Sequence, residues 1–180
     1  MKIDKRTIID TSQDPGLHKQ PVQSVVNIPK PPMSIPKYHW VADKPDIRDY
    51  AYSVTNKTQP NIVDLRQYCS PIENQGQLGS CTGNAIAGAI ELLNKRSNNP
   101  KDVSRLFIYY YERLLEGTVN YDSGAYIRDG IKATYKYGAS LESLWPYDIT
   151  RFRYMPNPTA VTDGANRKVT LYERVDNHQG

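Results

Sequence analysis

The chain has 180 residues, 38% of them hydrophobic, a mean hydropathy of −0.66 and a formal net charge of +4. The 23 basic and 19 acidic residues are interspersed, with no aromatic-interleaved basic stripe, so nucleic acid is not an expected partner. No window approaches the roughly 18 apolar residues of a membrane span, and residues 1–11, MKIDKRTIIDT, lack the apolar core of a secretion signal.

That length suits one core, as one domain or one domain with an appendage. Eight of the 13 prolines fall between Pro15 and Pro60, which marks residues 1–55 as an extended arm or pro-segment. Within it, YHWVADKPDIRDYAY at 38–52 places Trp40, Tyr50 and Tyr52 between charges. This reads as a piece that docks on a surface without regular structure; a solvated linker is the alternative. The only cysteines are Cys69 and Cys81. With no secretion signal, a reduced, intracellular setting is expected, and the sequon Asn56-Lys57-Thr58 is expected to be unused.

Past residue 60 the pattern becomes helical. In SCTGNAIAGAIELLNKRSNNP, Ile86, Ile90 and Leu93 recur at helical spacing, as do Ala85, Ala89 and Leu92. Ser80 is the expected N-cap, Lys95 and Arg96 suit the negative end, and Asn98-Asn99-Pro100 stops the helix. Its many small residues predict close backbone approach and a buried central helix. A second helix is predicted over SRLFIYYYERLLEG, with Ser104 as N-cap and Gly117 as a left-handed C-cap. A third is predicted from Ser123 to Gly138, followed by an extended turn at Trp145-Pro146. RKVTLYERVD alternates with the period of a strand, expected over Val169–Val175.

The chemistry concentrates in NQGQLGSCTGN, residues 74–84. A cysteine in the first turn of a helix has backbone N–H groups and the dipole favouring its thiolate, the nucleophilic form. Gln75 lies six residues upstream across a glycine-containing loop, from which its amide can turn toward an oxyanion. On position alone, a buried structural cysteine is the competing reading. Gly79-Ser80-Cys81-Thr82-Gly83 also fits the G-x-nucleophile-x-G elbow, but the polar residues before it are not the strand that elbow requires. No Lys-Ser/Thr follows the glycines, so a Walker phosphate loop is excluded. No metal site and no cofactor are expected.

PIENQGQLGSCTGNAIAGAIE, preceded by VDLR at 63–66, resembles the active-site region of papain-like cysteine peptidases, with its N-Q-G-x-x-G-S-C-W-A pattern. The resemblance extends to Ser104-Arg105-Leu106 at the S-x-Q-x-L position, to Asp122-Ser123-Gly124 at the glycine strip of the substrate cleft, and to YGASLESLWPYD at 137–148. HWVADKPDIRDYAY is similar to the segment preceding the catalytic domain in bacterial and viral members. The resemblance implies an α+β papain-like fold, with residues 56–180 supplying mainly the helical lobe around a central helix from about Ser80 to Arg96. It implies peptide or protein substrates, Cys81 as nucleophile, Gln75 in the oxyanion hole, and Ser123 and Gly124 as substrate-binding residues. Leu78 stands where secreted members have a cysteine of a disulfide, and Ser123 where its partner would lie. Thr82 and Gly83 replace the usual W-A.

The family's base histidine and its orienting asparagine lie about 130–150 residues beyond the nucleophile. None of His18, His39 and His178 matches that context. The expectation is therefore a domain incomplete at its C-terminus, whose histidine lies outside this chain, in a missing lobe or a partner chain. A lobe retained without catalysis, acting as a binding or structural module, is the alternative.

Overall fold

A computed structural model describes residues 20–21, 40–43, 46, 50–52 and 61–175. The residue-55 boundary, the sequon and His18, His39 and His178 lie outside the described residues. In chain order the elements are β1 (Gln20–Pro21), β2 (Trp40–Val41), β3 (Tyr50–Ala51), α1 (Cys81–Arg96), α2 (Arg105–Glu116), β4 (Ala125–Tyr126), α3 (Ile127–Lys136) and α4 (Pro158–Ala165). Short 3₁₀ turns cover Arg66–Tyr68 and Ile149–Arg151. Strand content is small: β1 pairs antiparallel with β3, and β2 pairs parallel with β4. No described helix is long and apolar enough to cross a membrane.

The core is a layer of helices with α2 in its middle. Leu106, Phe107, Ile108 and Tyr109 are essentially inaccessible to solvent; Leu106, Phe107 and Tyr109 pack with Leu78, Ala125, Ala133, Trp145 and Ala160, while Ile108 packs with Ile86, Ala87 and Ile90 of α1. Ser104 caps α2 as predicted, its hydroxyl accepting from the Phe107 N–H at 3.1 Å while donating to the Trp145 carbonyl at 2.5 Å. Gly117 ends the helix with φ +72°.

Helix α1 runs over the expected residues but is buried on one side only. Ile86, Ala87 and Ile90 face the core, whereas Ala85, Gly88 and Ala89 are exposed because no described residue packs over them. Its approach to α2 depends on Gly83: a Cβ there would lie 2.9 Å from the Arg105 carbonyl and 3.1 Å from the Tyr109 Cβ.

Four further differences from the sequence reading have identifiable causes. Helix α3 begins at Ile127 instead of Ser123, because Gly124 takes φ +69° and β4 keeps the next two residues extended. Asp43 crosses from the N-terminal region to accept the Arg128 N–H at 3.2 Å, so part of the 38–52 segment docks, as short strand and helix cap. Helix α4 went unread, although Asn157 caps it through the Ala160 N–H at 2.8 Å and Pro158 opens it. The expected strand at Val169–Val175 forms no ladder among the described residues. Val169 is held to the Thr134 carbonyl at the end of α3, the Tyr172 ring meets Tyr135, and only Arg174 bridges Ala51.

Gly83→Val should cost about 2–3 kcal/mol by forcing α1 and α2 apart. Urea unfolding of the two proteins measures this, and a loss below about 0.5 kcal/mol would contradict the tight approach.

Candidate active site

The site is built on the loop between Asn74 and the start of α1. Asn74 accepts from the Gly76 N–H at 2.8 Å in a side-chain-closed turn, and Gly76 takes φ +64°. The Gln75 amide then turns inward, donating to the Leu78 carbonyl at 2.9 Å. Leu78 is buried and roots the loop in the core. Gln75 and Cys81 are both half-buried, at opposite ends of this closed turn.

A second set of bonds fixes the loop from outside. The Tyr147 hydroxyl bonds to the Gln75 carbonyl at 2.9 Å and to Ser80 Oγ, linking the two ends. Ser80 therefore does not cap α1 with its side chain as expected; its oxygen faces Tyr147 and the Asn84 amide. The Arg105 guanidinium lies 3.9 Å from the Tyr147 ring centroid and pairs with Glu73 at 3.0 Å. Arg105 and Tyr147 fell within quoted motifs, but nothing local to either residue discloses this contact.

Cys81 is not in a disulfide and is the first residue of α1. Its electrostatics differ from the sequence expectation. Burial pushes the thiol pKa up; the Thr82 N–H works against this, while the Glu112 carboxylate adds to the rise. The helix N-terminus thus favours the anion as expected, but desolvation outweighs it. Alkylation of Cys81 by iodoacetamide should rise with pH along a profile centred above that of an ordinary thiol, which peptide-resolved mass spectrometry can follow. A midpoint below the ordinary value would contradict the dominance of burial.

Beneath Cys81 lies a buried polar pair. Thr82 Oγ1 donates to Glu112 Oε2 at 2.6 Å, both residues being essentially inaccessible. Burial pushes Glu112 up to about 8; the Thr82 bond and Arg113 oppose the shift, and Glu116 and Asp129 reinforce it. Between the usual glutamate value of 4.5 and about 8, the folded chain keeps a proton that the unfolded chain has released. Stability therefore falls as pH rises through that window. In Glu112→Gln the slope should flatten, with a relative gain on the order of 3 kcal/mol on going from pH 5 to pH 8. Denaturant midpoints across that range test it, and an unchanged slope would refute it.

The Ser123–Gly124 strip follows α2 in the chain. Ser123 is exposed, with its hydroxyl bonded to Thr118 Oγ1 at 2.9 Å; Gly124 is buried, its N–H donating to the Tyr109 hydroxyl at 3.2 Å. A groove of about 800 Å³ between α3 and residues 168–172 contains none of the four candidate residues. No cluster of three or more potential metal ligands occurs among the described residues.

No family model matches the chain. An uncharacterized peptidase C1-like protein of Acanthamoeba polyphaga mimivirus is 38% identical over 161 residues, which are 77% of this chain and 51% of that protein. The crystal structure of xylellain, a cysteine protease from Xylella fastidiosa, aligns with a TM-score of 0.69 at 39% identity, over 77% of this chain and 58% of that one. Over about three quarters of its length the chain is related to papain-like cysteine peptidases. It carries the mostly helical part of the papain-like fold and spans about half the length of the curated relative. In papain-like terms the Asn74–Asn84 turn and α1 keep their expected order, while Tyr147, Arg105 and Glu112 form the support that the motif alone did not disclose.

Proposed function

We propose that the chain forms part of a cysteine peptidase that hydrolyses peptide bonds through a thioester on Cys81. The Cys81 thiolate attacks the carbonyl carbon, the C–N bond breaks, the amine leaves with a proton, and water then releases the acyl group. Gln75 Nε2 has two hydrogens, of which one goes to Leu78. The second, with the Cys81 backbone N–H, is suited to the oxyanion of the tetrahedral intermediate. Ser123 and Gly124 line the peptide-binding edge. The observation that carries this reading is the closed Gln75–Cys81 loop, pinned at both ends by one Tyr147 hydroxyl.

The described residues contain no histidine. A half-buried thiol with a raised pKa needs a neighbouring base, so the reading assigns that role to a histidine outside the described residues. The raised thiol also supports a second reading, a papain-like lobe that binds a partner without catalysis. A peptidyl epoxide distinguishes them. Under the peptidase reading it alkylates Cys81 in preference to the exposed Cys69, Cys81→Ala abolishes the adduct, and Gln75→Ala slows it by roughly tenfold or more. Adducts confined to Cys69, or labelling indifferent to Cys81→Ala, would overturn the assignment.

A further inference from the structure

One carboxylate joins the two loops that hold the candidate residues. Both Asp122 oxygens accept from the Gly79 N–H at 3.0 Å, two residues before Cys81. Asp122 Oδ1 also accepts from the Tyr109 hydroxyl at 2.5 Å. That hydroxyl in turn accepts from the Gly124 N–H. The path is continuous: Gly79 N–H to Asp122, Tyr109 O–H to Asp122, Gly124 N–H to Tyr109.

The chemistry of each member fits its position. Gly79 and Gly124 are buried, so their N–H groups would be orphaned donors without these acceptors. A carboxylate takes both the amide and the phenol on its lone pairs, and a phenol donates and accepts at once. Tyr109 is fully buried in α2, where burial and the Asp122 charge push its pKa far up and keep the donor protonated. Arg113 holds it from the other side, with Nε donating to the Tyr109 carbonyl at 3.1 Å and the guanidinium 4.1 Å from the ring centroid.

We propose that Asp122 and Tyr109 are positioning residues that clamp the Cys81 loop to the Ser123–Gly124 strip and so set the spacing between nucleophile and bound peptide. The clamp rests on these bonds; its service to substrate rests on the peptidase reading above.

Amide hydrogen exchange of the 180-residue chain, read by NMR, tests the clamp without any activity. In Asp122→Asn the Gly79 amide should exchange about tenfold faster, since its acceptor loses its charge, and Gly124 should follow, since the Tyr109 hydroxyl it donates to loses its charged anchor. In Tyr109→Phe only Gly124 should accelerate. The Tyr111 amide within α2 should keep its rate in both variants. Wild-type rates at both glycines, or acceleration shared with Tyr111, would overturn the clamp, and Tyr109→Phe decides the matter alone if Asp122→Asn does not fold.

The substrate role is read at Cys81 with two reagents. Tyr109→Phe should slow the peptidyl epoxide about fivefold or more while leaving iodoacetamide within about twofold, because only the former must lie along the strip. Equal effects on both reagents would overturn the positioning claim. If the glycine amides respond as expected but the wild-type chain takes no epoxide, the clamp stands and the peptidase reading fails.

Discussion

Helix α1 can lie against α2 because residue 83 has no side chain. With the Arg105 carbonyl and Tyr109 Cβ about 3 Å from where a Cβ would stand, any larger residue would push the helices apart. The close approach brings Thr82 within hydrogen-bonding distance of Glu112, sets the Asn84 amide oxygen 3.3 Å from Arg105, and leaves Cys81 at the edge of the contact. A glycine that weakens a helix by roughly 1 kcal/mol when considered alone is here the condition for the packing around it.

The polar interior that results is electrostatically unequal. Arg113 is buried but satisfied by the Tyr109, Val119 and Tyr121 carbonyls, at 3.1, 2.8 and 3.1 Å. Glu112 has one oxygen bonded to Thr82 and the other without a hydrogen-bond partner in the described structure, so desolvation dominates and favours the protonated acid. Cys81 feels the same competition more weakly. A helix N-terminus sets a preference for anions, and the amount of water left around the group decides whether the preference prevails.

What was legible in the sequence was local. The apolar periodicity of Ile86, Ile90 and Leu93, the Ser104 cap and the Gly117 stop act within one turn of the chain, and α1 and α2 follow them closely. The Gln75–Cys81 spacing was equally readable, since the turn closes on its own atoms. Ser80 failed as a cap because a partner 67 residues away took its hydroxyl. Asp122 and Tyr147 were quoted without roles because their bonds to Gly79 and Gln75 span 43 and 72 residues. The alternation at 169–175 looked like a strand, but residues following α3 were drawn onto its end and side, and tertiary contact overrode period. Helix α4 has only eight residues, too few for a periodicity to stand out, and its Asn-Pro start was the one available sign.

Leu78 and Ser123 hold the places where the resemblance to secreted papain-like enzymes puts a disulfide, and the next residue on one side and the previous one on the other, Gly79 and Asp122, are hydrogen-bonded. The two loops are thus joined at nearly the same point by a different kind of link. It assembles as the chain folds, with no oxidant or isomerase and no risk of mispairing with Cys69. A thiol reductant cannot sever it. Being reversible, it permits the loops to part and close again on the timescale of local fluctuations, where a covalent bridge would hold them at a fixed separation.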